Sequence, residues 1–552
     1  MTAPAAAAAG AKSAAAAPRA GGSPLTGTGA LVRLAVRRSR ILLVAWMAAF
    51  VVTAATSSTA TVDLYPTLTS RQEAAASLNQ SAAIVAFYGR IPEAGSIGAI
   101  AIFKLTGLGA VVVALLAIVV VVRHTRGDEE AGRAELVGAT VVGRAAPLAA
   151  ALLVVAGTSV VLGLLTGVAM AGTGLPVAGS FAFGLSWAVV GLAFGAVAAV
   201  AAQLTPSART ATALSGAVLA ASYVLRGIGD AAGDGGLSVL RWVSPIGWAQ
   251  QIGPYAGDRW WVAMVPLVFT AVAVAVAFRL ATRRDLGTGV LPVRAGPRHA
   301  SRWLRSNLAL AWRLQRVSLL GWAIGFAVVG GLLGTLATDA ASFITSPEAK
   351  QFFVLLGGDK ELADAMLAVE LAFAGIAASA YGIQVITHLH AEEAALRAEP
   401  LLAGPLGRLR WIGGHLAVAL GGTTALMLVT GVAAGLALGV RTGDLGRAPT
   451  IVGAALVQLP AAWVLVGITV AAFGLAPRFT QLGWVALAAF VLIGELGPLL
   501  HVRQWVLDLS PFAHTPRLPG GDLAVGSVVG LLAVATALVA VGLAALRRRD
   551  VL

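Results

Sequence analysis

Two stretches of the chain, "DEEAGRAELVGATVVGR" (Asp128–Arg144) and "EEAALRAEPLLAGPLGR" (Glu392–Arg408), decide its architecture. One fixed spacing superimposes them. It aligns Asp128 with Glu392, Glu129 with Glu393, Arg133 with Arg397, Glu135 with Glu399, Gly143 with Gly407 and Arg144 with Arg408, and upstream it sets His124 on His388. A shared charged phrase of this length, in a chain that is 58% hydrophobic and 12% charged, marks an internal repeat.

Outward from the two copies the sequence is apolar. The 552 residues have a mean hydropathy of +0.86. Runs long enough to cross a hydrocarbon core of about 30 Å recur along the chain. They fall at 41–60, 97–122, 146–172, 180–203, 209–227 and 261–281, then at 318–338, 367–387, 411–438, 450–475, 480–500 and 525–546. Continuous apolar runs, in place of alternating ten-residue segments, require helices and exclude a barrel. The expectation is an all-α polytopic membrane protein of twelve spans in two six-helix halves. Each copy of the phrase falls between the second and third span of its half. Six is even, so both halves run the same way through the membrane, related by a pseudo-two-fold axis along its normal.

Charge sets the orientation. The formal net charge is +14. With the N-terminus inside, the basic residues concentrate on the cytoplasmic side, in Arg33–Arg40, the 279–316 linker and Arg547–Arg549, which is the positive-inside bias. The charge is therefore an orientation signal and not a nucleic-acid surface. Both termini are expected in the cytoplasm of a cell-membrane protein. Residues 1–27 carry almost no large apolar side chain and read as a disordered tail, without the form of a secretory signal. Cysteine is absent, which excludes disulfides, thiolate metal sites and thiol nucleophiles. The His residues show no metal-ligand spacing, and no catalytic constellation appears.

Glu129 and Arg133 are four apart, as are Glu393 and Arg397, so each pair shares one face of a helix. Such pairs contribute only about 0.3–0.5 kcal/mol each, too little to account for the duplication. Gly138 and Thr140 in one copy, and Gly404-Pro405 in the other, are helix stops. Short charged surface helices are expected at about 124–142 and 388–406. A plain cytoplasmic loop with intrahelical pairs is one reading. The other is a docking element: two surface helices related by a two-fold axis suit a partner that is itself a two-fold dimer.

Further landmarks recur in the same order. Leu34-Ala35-x-Arg37-x-x-Arg40 ending at Trp46 matches Leu310-Ala311-x-Arg313-x-x-Arg316 ending at Trp322, and "VSPIGW" (Val243–Trp248) matches "LSPFAH" (Leu509–His514). With these basic elbows, the E-x3-R-A-E loops and the Trp242-x-Ser244-Pro245 segment, the chain resembles the permease subunits of ABC exporters of the ABC-2 class. Among them it is most similar to the fused actinobacterial permeases of multidrug or tetronasin-type antibiotic efflux. The second half departs from the W-x-SP form, with Trp505 further upstream of Ser510-Pro511.

The resemblance implies elbow helices on the inner leaflet, a first half at 28–281, a linker with the second elbow at 282–317 and a second half at 318–552. It implies coupling helices that dock on an ATPase: Asp128, Glu129, Arg133 and Glu135 on one copy, Glu392, Glu393, Arg397 and Glu399 on a second. It implies export of hydrophobic or amphiphilic compounds, drugs, antibiotics or lipids, by alternating access. A phosphate loop needs Gly-Lys-Ser/Thr, and none of Lys12, Lys104, Lys350 and Lys360 follows a glycine. The chain is thus expected to hold no cofactor and to be a transport subunit, with ATP and Mg on a separate ATPase.

Lys104, Glu370 and Glu495 fall within expected spans away from the cytoplasmic face. Repeat spacing brings Lys104 to within two residues of the position of Glu370, so the two could form a gate near the axis. The alternative is that all three snorkel to headgroups. In the family, spans two and five of each half line the path, which points to Phe103, Lys104, Phe373, Tyr381, Trp484 and Glu495. Packing or lipid-facing aromatics are the alternative. The external segments 61–96 and 339–366 are amphipathic and read as partial lids. A proton-coupled twelve-span carrier is the rival function, and a membrane enzyme or scaffold a more distant one.

Overall fold

A computed structural model of the chain describes residues 23–233, 235–291, 298, 299, 301, 304–339, 359–496 and 503–549. Most of the expected tail, part of the linker, most of the segment 339–366 and the side chain of Glu495 lie outside the described residues. The described chain is α-helical with no strand, and twelve of its helices are long and apolar enough to cross a membrane. It divides into two compact units, Met1–Arg294 and Ala295–Leu552. The spans of the first are Thr28–Leu64, Ile97–Glu130, Ala146–Gly172, Val177–Leu204, Ala208–Ala231 and Trp260–Thr282. Those of the second are Asn307–Ala337, Ala363–Ala394, Arg408–Thr442, Leu445–Leu475, Pro477–Gly494 and Val525–Arg548. The protein is an all-α polytopic membrane protein.

The core of the first unit gathers around the fourth span, whose Phe183, Trp187, Val190, Phe194, Ala198 and Ala202 are all fully buried. In the second unit Tyr381, Ile386, Trp411, Leu426, Val466 and Phe473 play the same part.

Three spans differ from expectation. The first is one helix of 37 residues from Thr28 to Leu64, so the basic elbow residues continue unbroken into the span. After Gly29 this stretch contains neither glycine nor proline, so nothing interrupts the backbone ladder. At 1.5 Å per residue the helix is about 55 Å long, well beyond a hydrocarbon core. The seventh likewise starts at Asn307, ahead of its elbow arginines.

The second span is interrupted. Between helical Ile97–Lys104 and Ala110–His124, residues Leu105–Gly109 make one π turn. It receives the indole of Trp187: a Cβ on Gly109 would sit 2.6 Å from a ring carbon. Trp187 meets Phe50 edge-on at 5.2 Å and Phe183 at 4.8 Å.

At the far end of the first unit, helices Leu68–Gln80 and Ala82–Tyr88 fill the segment after the first span. The second of these is held by fully buried Arg226, whose guanidinium donates to the carbonyls of Ala86 at 2.9 Å and Phe87 at 2.8 Å. The "VSPIGW" landmark forms helix Pro245–Gln251, capped by Ser244. Its counterpart makes only a 3-10 turn, Pro511–His514, because Pro516 holds the preceding Thr515 extended and stops the helix.

Candidate functional site

The repeated phrase folds the same way in each unit, and not as one helix. In the first copy the chain forms helix Arg126–Glu130, turns at Gly132 with φ of +69°, and resumes as helix Arg133–Gly138. In the second, the long helix ends at Ala394, Leu396 takes φ of +57°, and a short helix covers Glu399–Leu402. Gly132 and Leu396 occupy equivalent places.

The break changes the pairing. The expected partners Glu129–Arg133 and Glu393–Arg397 do not meet, because a left-handed residue separates the members of each pair and removes the four-residue helical register. Instead Arg133 Nε reaches Asp128 Oδ1 at 2.8 Å and Arg397 Nε reaches Glu392 Oε1 at 3.2 Å. The aligned histidines join the same acids: His124 Nδ1 lies 3.9 Å from Asp128 and His388 Nε2 3.2 Å from Glu392. In the first unit Arg38, on the elbow end of the first span, donates to both Asp128 oxygens at 3.0 and 3.1 Å, and Ser39 Oγ lies 2.8 Å from His124 Nε2.

The second acid of each phrase turns inward. The Glu129 side chain is 10% exposed and lies between Arg126, 2.9 Å away, and Arg284, 2.6 Å away. The Glu393 side chain is 9% exposed and meets Arg549 at 2.5 Å. Arg126 is fully buried and donates as well to the carbonyls of Ala202 and Thr288. A carboxylate this far from water needs such partners to remain charged. Glu129 and Glu393, expected at a docking surface, thus serve to fasten it.

What faces outward is Arg133, Glu135 and two apolar side chains, Leu136 at 74% and Val141 at 87% exposed. In the second copy it is Leu396, Arg397 and Glu399. Behind the first copy lies a mainly apolar cavity of about 500 Å³, walled by Leu31, Leu34, Val137, Val142, Leu148 and Leu286.

The residues expected along a path divide by exposure. Lys104, Phe373 and Trp484 are exposed. Phe103 is buried against Tyr88, with ring centroids 5.3 Å apart. Tyr381 is fully buried beside Trp322. Glu370 has one oxygen, Oε2, buried without a hydrogen-bond partner among the described residues. Lys104 belongs to the first unit and Glu370 to the second.

Local pattern reading missed Arg38, Arg126, Arg284 and Arg549. The last two lie more than 150 residues from their acids, and no spacing rule reaches them. Gly132, in the middle of an expected helix, was the visible sign that the register would break.

Twelve apolar spans shared between two units, each bearing the same folded charged loop, define a polytopic membrane protein with a duplicated permease architecture. The chain belongs to the family described as the multidrug efflux system permease Rv1217c, C-terminal domain, whose profile matches residues 29–281 and 304–547, one stretch in each unit. It is 44% identical over 533 residues, 96% of each chain, to the multidrug efflux system permease protein Rv1217c of Mycobacterium tuberculosis.

Proposed function

We propose that this chain is the permease subunit of an ATP-driven ABC exporter that carries hydrophobic or amphiphilic compounds out of the cell by alternating access. It lies in the cell membrane with both termini in the cytoplasm. Two copies of a separately encoded ABC ATPase hold ATP and Mg and dock on the two repeated loops. The relative's name supports drug efflux. The observation that carries the energy source is the duplicated loop itself, which in each unit presents an arginine, a glutamate and at least one exposed apolar side chain on a fastened base. Covering Leu136 and Val141 would contribute about 1.5–3 kcal/mol each. Arg133, Glu135, Arg397 and Glu399 supply charge complementarity, with Asp128 and Glu392 orienting the arginines. Exposed Phe373 and Trp484 suit flat amphiphiles, and Lys104 an anionic group on them.

The test is the double variant Arg133→Glu, Arg397→Glu in the full chain. We expect unchanged abundance in the membrane, at least a tenfold loss of co-purified ATPase and loss of drug-stimulated hydrolysis. Full retention of both would overturn the docking assignment. A proton-coupled carrier is the second reading, favoured by the Glu370 oxygen that has no hydrogen-bond partner among the described residues. Inside-out vesicles that accumulate drug on a proton gradient without ATP would establish it.

A further inference from the structure

We infer that Arg284 and Arg549 are positioning residues that tie each repeated loop to the neighbouring span ends of its own unit, so that loop and span ends move as one body. Arg284 follows the sixth span. Its guanidinium grips Glu129 with two bonds, Nη2 to Oε1 at 2.6 Å and Nη1 to Oε2 at 3.0 Å, and its Nε donates to Gln203 Oε1 at 2.6 Å, at the end of the fourth span. Its backbone carbonyl accepts from Arg144, just ahead of the third span, at 2.5 Å. Arg549 follows the twelfth span and joins the corresponding elements, with one carboxylate bond in place of two. Its Nη2 reaches Glu393 at 2.5 Å, its Nη1 donates to the Phe473 carbonyl at 3.0 Å near the end of the tenth span, and its own carbonyl accepts from Arg408, the first residue of the ninth helix, at 2.5 Å.

The tenth span offers a main-chain carbonyl where the fourth offers a glutamine side chain, yet both serve the same arginine position. An arrangement reached twice by different acceptors is not an accident of one loop. Burial gives it strength: the side chains of Arg284 and Glu129 are 8% and 10% exposed, those of Arg549 and Glu393 16% and 9%. The two-pronged bond of Arg284 to Glu129 holds direction as well as distance, and Arg549 holds Glu393 by one charge-assisted bond. Glu129 and Glu393 stand on the span side of the left-handed residues 132 and 396, so the arginine side chain fixes the base of the loop, while its main-chain carbonyl holds Arg144 or Arg408 beyond the pivot. With the arginine in place, a push on the loop passes into the third, fourth and sixth spans together, or the ninth, tenth and twelfth. The inference rests on the ATPase reading only for the source of the push.

The chain has no cysteine, so paired labels can be placed cleanly. Spin labels at Ala139→Cys with Leu286→Cys, and at Ala403→Cys with Arg548→Cys, occupy exposed sites on the two sides of each arginine. We expect one narrow distance in each unit, the same in nucleotide-free and ATP-trapped complexes. Arg284→Gln and Arg549→Gln should broaden that distance and lower transport per ATP hydrolysed at least fivefold, with co-purified ATPase kept within twofold. Should Arg284→Gln fail to reach the membrane, Arg284→Lys, which keeps the charge but loses the fork, carries the same expectation. A label distance that shifts between states in the unaltered chain overturns the inference, as does unchanged transport per ATP in the Gln variants. If no ATPase binds the unaltered chain, the proposed function fails instead, and the label distances in the permease alone decide the positioning role.

Discussion

Gly132 and Leu396 show how one backbone state can be reached at unequal cost. Both stand at the same place in the repeat and both are left-handed. Glycine adopts that state freely, whereas a leucine there costs about 1–2 kcal/mol. Gly132→Leu should therefore lower stability by about 1–2 kcal/mol, and Leu396→Gly should raise it by up to about 1 kcal/mol, in thermal unfolding of the purified permease. Opposite signs are the required outcome, and equal losses would mean that the two turns are unrelated. The same residues explain what the sequence left illegible. Spacing of four suggested Glu129–Arg133, but the turn at 132 hands the arginine to Asp128 and leaves Glu129 to Arg284. The two acids differ in consequence. Glu129→Ala removes the partner of a nearly buried arginine and should cost about 3–5 kcal/mol. Arg133→Ala breaks a pair whose arginine is 48% exposed and should cost under about 1 kcal/mol. Comparing the melting temperatures of the two variants checks this ordering.

Among elements, the spans were readable because lipid imposes length and apolarity on any helix that crosses it, as the third shows by matching its expected 146–172 end to end. The π turn was not readable. Every residue around Leu105–Gly109 except Lys104 and Thr106 is apolar or glycine, so periodicity gives no phase there. Its cause lies on another helix, in the Trp187 ring that occupies the space a side chain at 109 would need. Gly109→Ala should destabilise by about 1–3 kcal/mol through overpacking. Trp187→Phe withdraws the ring atoms nearest Gly109, so the double variant should be more stable than the sum of the single losses predicts. A double-mutant cycle read by thermal unfolding measures the coupling, and simple additivity would detach the π turn from the tryptophan. The "LSPFAH" segment carries a similar lesson. It matches its partner in position, but Pro516, outside the matched residues, sets how far its helix can run.

At the scale of the molecule, duplication is legible in the phrase, the elbows and the Ser-Pro landmarks, and the structure gives each copy its own compact unit with its own buried core. Both arginine arrangements close inside a single unit, Arg284 with Glu129 in the first and Arg549 with Glu393 in the second. The covalent join between units is therefore not what positions either loop. A chain severed between residues 294 and 295 should still place both fragments in the membrane when they are expressed together, and efflux should recover to within a few-fold of the intact protein. Either fragment alone should insert but support no efflux, because on the proposed function it offers one loop where two ATPase subunits dock. Drug accumulation in cells carrying one fragment, both or the intact chain checks this directly. Efflux by the first fragment alone would mean that a single repeated loop suffices. A severed pair that inserts fully yet transports nothing would assign the linker a part in the transport cycle beyond joining the two units.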